Sequence, residues 1–237
     1  MPEATAQNLS VRGLEAWYGE SKVLHGMDFD LRAGEVVTLL GRNGAGKTTA
    51  VKSIMGMIER RTGSIKFDGD ETIAAPPYDI ARKGVGYCPD HRGIFSSLSV
   101  RENLLLPPKL ADGGMTVDDI LSLFPNLKER LDSQGTKLSG GEQQMLALAR
   151  VLRTGARILL LDEPTEGLAP IIIQQIARAV TTLKQLGFTI LLIEQNVGFV
   201  STLADRHYVV ELGRVVEEIP AAELTNRESA LTAYLGL

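Results

Sequence analysis

The chain has 237 residues, 44% of them apolar, which is enough to bury a substantial core within one compact unit. Its 25 basic and 29 acidic side chains nearly balance, so the whole-chain field that draws a protein onto nucleic acid is missing. The lone Cys88 cannot form an internal disulfide and has no metal-ligand cluster around it, so it reads as a buried side chain in a reducing compartment.

Residues 1–10 lack the basic start and apolar stretch of a signal peptide, so export is not expected. No apolar run approaches the roughly 18 residues needed to cross a bilayer. Work at a membrane would require another protein to hold the chain there. Residues 9–16, 23–31 and 35–40 have strand character, with breaks at Gly19 and at Ala33-Gly34, and predict a small antiparallel sheet. A short apolar strand from Val36 then feeds a glycine loop and a stretch, 47–57, with apolar residues at helical spacing. Further buried-type strands at 84–88, 157–161 and 188–193 alternate with helical segments and predict a parallel sheet with crossover helices. Between 89 and 153 the strand signal disappears, and 100–106, 116–124 and 142–152 read as helices of an inserted arm. Residues 207–212 and 215–219 flank Gly213-Arg214 as a hairpin, followed by a helical tail at 221–234.

The loop Gly41-Arg42-Asn43-Gly44-Ala45-Gly46-Lys47-Thr48-Thr49 has a glycine, four residues, then Gly-Lys-Thr, between a strand and a helix. Its glycines let backbone amides curl inward, and the helix start adds unpaired amides and a partial positive charge. Such a site fits a nucleoside triphosphate, and ATP is the expected one. Lys47 is placed to neutralise the outer phosphates, and the Thr48 hydroxyl to ligate Mg2+.

The apolar strand Ile158-Leu159-Leu160-Leu161 ends in Asp162-Glu163, which can bring two carboxylates beside that loop. Asp162 is expected to hold Mg2+, directly or through water, and Glu163 to polarise the attacking water. Leu138-Ser139-Gly140-Gly141-Glu142-Gln143 precedes a helix, and Ser139 and Glu142 have capping-box spacing. Capping does not require Gly140 and Gly141, whereas close approach of a phosphate to a second helix start would use them.

LSGGEQ between the glycine loop and ILLLDE resembles the signature of the ATP-binding cassette (ABC) family, and the motif order covers nearly the whole chain. The resemblance implies an α/β P-loop NTPase (RecA-like) core with an N-terminal antiparallel β-subdomain and an inserted helical subdomain. The cassette then spans 8–237, with a nucleotide-binding core at 8–90 and 154–219, the arm at 91–153 and the tail at 220–237. Two cassettes of this family pack head to tail, so Ser139, Gly140 and Gly141 are expected to close over the ATP of a second subunit, identical or different. Tyr18 resembles the aromatic that stacks on adenine, and is equally an ordinary strand aromatic. Gly167-Leu168-Ala169-Pro170 resembles the loop that crosses the dimer interface, and is equally a turn with Pro170 opening a helix.

Two positions depart from the family pattern. Asp90 stands where a glutamine commonly touches Mg2+, and its shorter side chain is expected to reach the ion only through water. Gln195 stands where most cassettes carry a histidine at the terminal phosphate; its amide can donate a hydrogen bond but cannot take a charge. The Glu-Gln-Asn segment at 194–196, Arg92-Gly93-Ile94-Phe95 and the Ala233-Tyr234-Leu235-Gly236 ending are similar to ATPases of branched-chain (hydrophobic) amino acid importers, with urea importers as near relatives. That branch implies peripheral attachment at the cytoplasmic face of the inner membrane, integral membrane permease subunits and an extracytoplasmic solute-binding protein. Its permease groove would be lined by the arm and residues 90–95, with Leu98, Leu104, Leu105 and Leu106 either in the groove or in the arm's core. A soluble ABC ATPase of nucleic-acid repair or translation is the rival; balanced charge and the lack of a long coiled-coil insertion oppose it, and no nucleic-acid partner is expected.

Overall fold

A computed structural model of the chain describes residues 9–224. The hairpin of β1 (Leu9–Tyr18) and β2 (Ser21–Leu31) is followed by β3 (Val36–Leu40), which leads into α1 (Lys47–Ile54). Next come β4 (Arg60–Phe67), β5 (Asp70–Glu71), α2 (Pro77–Arg82) and β6 (Val85–Cys88). The arm holds α3 (Val100–Leu105), α4 (Val117–Leu123) and α5 (Pro125–Glu129), and α6 (Gly140–Arg153) returns the chain to the core. Then follow β7 (Ile158–Asp162), α7 (Pro170–Gln185), β8 (Thr189–Glu194), α8 (Val197–Val200), β9 (Arg206–Glu211), β10 (Arg214–Pro220) and α9 (Ala221–Leu224). The predicted tail is helical from 221 to 224; its remainder, with the 233–236 ending, lies outside the described residues.

The larger sheet has the order β10-β9-β3-β8-β7-β6, and its pairs from β9 to β6 are parallel. Its central strands are apolar throughout because both faces are covered. Leu159 and Leu161 of β7 face the helices of the arm and α7, while Ile158 and Leu160 face α1 and the smaller sheet. In β8 the alternation is the same, with Ile190 and Leu192 on one side and Leu191 and Ile193 on the other.

The smaller sheet, β2-β1-β4-β5, is antiparallel, and its strands β4 and β5 are not predicted by the sequence pattern. In β4 the inward apolar residues are Ile65 and Phe67, set opposite Val11 and Leu9, and the rest of the strand is polar and largely exposed. Two apolar side chains in eight residues make too weak an alternation to mark a strand.

Capping boxes at Ser99 and Glu102, Thr116 and Asp119, and Ser139 and Glu142 open α3, α4 and α6. Buried Asn103 accepts from Phe95 N at 2.8 Å and donates to Phe95 O at 2.9 Å, which fixes the loop before α3. The four leucines divided between groove and core separate here. Leu104 is fully buried in the arm's core, Leu98 is half-buried, and Leu105 and Leu106 are exposed.

Arg206 joins the sheets: its guanidinium pairs with Glu35 at 2.6 Å, Glu218 at 2.8 Å and Asp30 at 2.9 Å. Next to it, fully buried His207 lies with Nδ1 2.8 Å from Thr38 Oγ1, and its Nε2 has no partner among the described residues. Burial, opposed by Asp205, pushes the His207 pKa down to about 4, against about 6.5 in an unfolded chain. Between these values the unfolded chain binds a proton that the folded chain refuses, so this contribution to stability is complete above about pH 6.5 and declines as the pH falls toward 4. Urea unfolding across this window should show a stability loss for the native chain that exceeds the loss for His207→Gln by up to about 1.4 kcal/mol per pH unit. Equal slopes would show that His207 is not the group responsible.

Candidate active site

The parallel strands β3, β6, β7 and β8 end on the same edge of the larger sheet, and the loops leaving them carry the polar groups. After β3 the chain turns, with Ala45 N donating to Arg42 O at 3.1 Å, and α1 begins at Lys47. Gly46 sits before it at φ 106°, where a Cβ would lie 2.8 Å from Leu24 Cδ2, so a side chain has neither the backbone freedom nor the space. No side chain caps α1 and no acidic residue stands in its first turn. The free amides and the positive end of the helix are thereby left for an anion.

Lys47 is buried, and its Nζ donates to Gly41 O at 2.6 Å and Arg42 O at 3.0 Å while lying 3.7 Å from Glu163 Oε1. Burial lowers its pKa, and Glu163 and Asp162 oppose that fall. The adjoining cavity, about 150 Å³, is lined by Val23, Asn43, Gly44, Gly46, Lys47, Thr48, Thr49 and Glu163. That volume suits phosphate groups. Tyr18 is half-exposed at the end of β1 and is not among the lining residues. Arg42 lies on the exposed outside of the loop.

Fully buried Asp162 accepts from Thr48 Oγ1 at 3.0 Å on one oxygen and from Tyr87 Oη at 3.0 Å on the other. Burial raises its pKa, the two hydroxyls oppose the rise, and Asp90 and Glu163 add to it. Burial and Asp162 together raise the Tyr87 pKa, so its phenol remains a donor. A cation here would relieve the crowding of negative charge. The Thr48 and Asp162 oxygens are 3.0 Å apart, matching the roughly 3.0 Å edge of an octahedron with bonds of about 2.1 Å to Mg2+. Among the described residues no three His, Cys, Asp or Glu side chains form a metal-holding group. These residues therefore fit an ion that takes its other ligands from phosphate and water, as Mg2+ does.

Glu163 follows β7 with φ 46°, a strained conformation for a non-glycine residue, and its N–H donates to Ile193 O at 3.0 Å. The carboxylate faces β8, where Gln195 Nε2 donates to Glu163 Oε1 at 3.1 Å and to Asn43 Oδ1 at 2.7 Å. Lys47, Glu163 and Gln195, drawn from three separate segments, thus meet at one point. A hydrogen bond from Glu166, and the negative charge of Glu163, raise the Glu166 pKa.

Two further residues that sequence reasoning misses organise the site. Tyr87 has the pattern of an apolar strand around it, and nothing in its neighbours marks its hydroxyl. Glu194 is buried, and it accepts from Thr165 Oγ1 at 2.7 Å, Thr165 N at 3.1 Å and Gln195 N at 3.2 Å. Burial raises its pKa, and these hydrogen bonds restrain the rise. Glu194 thereby ties the turn after Glu163 to the end of β8. A carboxylate closing an apolar strand, as Asp162 does in β7, is the available signal.

Asp90 hydrogen-bonds to His91 rather than to Thr48 or Asp162. Its Oδ1 accepts from His91 N at 2.7 Å and lies 3.1 Å from His91 Nδ1. Burial acts to raise its pKa, but these His91 contacts and Lys52 leave it lowered. Ser139, Gly140 and Gly141 do not line the phosphate cavity of their own chain. Ser139 caps α6, accepting from Glu142 N at 3.3 Å, with Glu142 Oε2 accepting from Ser139 N at 2.7 Å. Gly141 has a packing reason beyond exposing its amide: a Cβ there would lie 2.6 Å from Ile172 Cγ2 on α7. Cys88 is buried beside Gln144, its pKa pushed up to about 12 mainly by burial, as an inert core thiol.

The sequence profile of the family described as "ABC transporter" matches residues 24–166. The high-affinity branched-chain amino acid transport ATP-binding protein BraG of Pseudomonas aeruginosa is 42% identical over 96% of this chain and 99% of its own length. The lipopolysaccharide export system ATP-binding protein LptB of Haemophilus influenzae is 31% identical over 96% of this chain and 97% of its own. A crystal structure of the ADP conformation of an ATP-binding cassette of an ABC transporter superposes with a TM-score of 0.80 at 25% identity, covering 94% of this chain and 95% of that one. With the glycine loop, the acid pair and the capped signature helix in place on a shared fold, the chain belongs to the ABC transporter family and is one of its ATP-hydrolysing, nucleotide-binding cassettes.

Proposed function

We propose that this cassette energises the import of branched-chain or other hydrophobic amino acids. Two observations support the reading: Lys47, Thr48, Asp162, Glu163 and Gln195 converge at the phosphate cavity, and the likeness to BraG runs from end to end. Lys47 exchanges its carbonyl partners for the outer phosphates of ATP. The amides of residues 44–49 receive the remaining phosphate oxygens. Thr48 and Asp162 hold Mg2+, which when bound neutralises charge on the transferred phosphoryl group, and Asp90 reaches it only through water. Glu163 accepts a proton from the attacking water as the water oxygen bonds to the γ-phosphorus and the bond to the β–γ bridging oxygen breaks. Gln195 orients Glu163 and donates to the terminal phosphate without titrating.

Ser139, Gly140 and Gly141 complete the ATP site of a second cassette, identical or different, and Tyr18 supports the adenine of the ATP held by this chain's own phosphate loop. Closing of the pair drives integral membrane permease subunits that receive solute from an extracytoplasmic binding protein. No helix among the described residues is long and apolar enough to cross a membrane. The cassette accordingly attaches peripherally at the cytoplasmic face, held by those permeases.

LptB's 31% identity over nearly the same span supports a second reading, in which the cassette serves an exporter of an amphipathic lipid. A urea importer is the small-solute variant of the first. Tagged chain purified from membranes in mild detergent distinguishes these readings. Importer-type permeases and stimulation of ATPase activity by a hydrophobic amino acid with its binding protein are expected. Recovery of lipid-export components instead, or salt-sensitive binding of RNA or DNA, would overturn the import reading.

Lys47→Ala should weaken ATP binding by about 100-fold, roughly 2.7 kcal/mol, in an equilibrium titration with a fluorescent ATP analogue. In the assembled complex Glu163→Gln should retain ATP binding and lower the turnover rate by about 10²–10⁴. Full turnover in Glu163→Gln would remove the general-base assignment.

A further inference from the structure

The carbonyls of the phosphate loop each have a donor, and one of those donors comes from far along the chain. Gly41 O and Arg42 O accept from Lys47 Nζ, and Gly46 O accepts from Ala50 N of α1 at 2.9 Å. Ala45 O accepts from Gly213 N at 2.8 Å, in the turn between β9 and β10. Ala45 C=O and Gly46 N–H belong to one trans peptide plane and point in opposite directions. Gly46 lines the phosphate cavity, and among the described residues its N–H donates to no protein acceptor. With Ala45 O drawn outward to Gly213, the Gly46 N–H is turned toward that cavity.

The turn that supplies this donor is tight and strained. Its central residues, Leu212 and Gly213, have φ 46° and 74° and are closed by the paired Glu211 and Arg214. Two successive left-handed residues are what the shortest hairpin turn requires. Leucine suits such a position poorly, and with 79% of Leu212 exposed the strain is not offset by burial. What the turn achieves is the placement of Gly213. Its carbonyl accepts from His25 N of β2 at 2.9 Å, and a side chain on it would collide with Val23 O. A Cβ on Gly46 would lie 3.3 Å from Gly213 Cα, and one on Gly41 would collide with Val210 O of β9. β9 and its turn therefore touch the phosphate loop at both ends.

We propose that Gly213 is a positioning residue of the phosphate site: its N–H, acting through Ala45 O, turns the Gly46 amide toward the phosphates of the nucleotide. Lys47 cannot serve this purpose in the loaded site, because it leaves Gly41 O and Arg42 O for the phosphates. Ala45 O keeps its donor throughout, since Gly213 makes no contact that the ligand displaces. The same residue is fastened to His25, so the loop takes its shape from the smaller sheet as well as from β3 and α1. This inference rests on the reading of residues 41–49 as the phosphate site.

Ala33-Gly34 and Ala45-Gly46 are the only Ala-Gly pairs in the sequence. Labelling alanine carbonyls with 13C and glycine nitrogens with 15N therefore leaves two signals in a carbonyl-filtered NMR spectrum. Gly34, whose N–H donates to Thr189 Oγ1 at 2.9 Å, is the internal control. Gly213→Ala should move the Gly46 signal of the ligand-free chain and leave that of Gly34 in place. In equilibrium titrations it should weaken binding of a fluorescent ATP analogue and of inorganic pyrophosphate alike, by about ten- to a hundredfold, the size of one hydrogen bond to a charged group. Inserting one glycine after Leu212 widens the turn and withdraws the Gly213 N–H without adding a side chain, so it should cause the same losses even if Gly213→Ala does not fold. Leu212→Asn, which suits the left-handed position better, should bind both ligands as the native chain does. Native affinities and an unmoved Gly46 signal in the insertion variant overturn the proposal. Equal losses in Leu212→Asn, or a Gly34 signal displaced as far as that of Gly46, also overturn it, because the turn would then be merely structural. If pyrophosphate leaves the native Gly46 signal unmoved, the phosphate-site reading fails instead, and the ligand-free Gly46 signal of the variants still decides whether Gly213 orients that amide.

Discussion

A carboxylate with no exposed surface is the constraint around which this site is arranged. Asp162 lies at the end of β7, and burying its charge would cost several kcal/mol if its oxygens had no partners. Thr48 and Tyr87 supply one hydroxyl each, so the same requirement fixes the start of α1 and the end of β6 to β7. Lys47, drawn in beside the acids, is deprived of water as well and satisfies its donors on loop carbonyls. A phosphate ligand thus enters a site whose charged groups are already held in place, and little reorganisation is left for the moment of binding.

The second acid depends on a different support. Glu163 takes a backbone conformation that few non-glycine residues adopt, and it persists because its neighbours are fixed on both sides. Its N–H is held by Ile193, its carboxylate meets Gln195, and two residues later Thr165 is fastened to buried Glu194. The turn after β7 is consequently tied to the end of β8 at several points. Rigid placement is what a group needs if it is to meet an attacking water at one angle.

Much of this arrangement is legible in the sequence because its signals are local. The glycine loop, the LLLDE strand end, the capping pair at Ser139 and Glu142 and the hairpin around Gly213 each declare themselves within a few residues. β4 does not, since its inward face is two side chains that acquire meaning only opposite Leu9 and Val11. Tyr87 is hidden for a related reason: an aromatic in an apolar strand reads as core, and only the parallel register beside β7 reveals where its hydroxyl goes. The arm's leucines show the same limit, because Leu104 and Leu105 differ by one position and by the full distance from core to surface. For Gly141 the signal is visible but incomplete, since the side chain it makes room for comes from α7, some thirty residues farther along the chain.

The contact between Gly141 and Ile172 has a consequence for how the molecule can be taken apart. With the side chain of α7 filling the space at the head of α6, the two helix starts interlock as a tooth and a notch, and neither can be replaced alone. A hybrid that borrowed its arm from a relative and stopped at the end of α6 would bring a foreign notch to a native tooth. The natural seam for such an exchange lies beyond the first turn of α7, so that the fitted pair is inherited together.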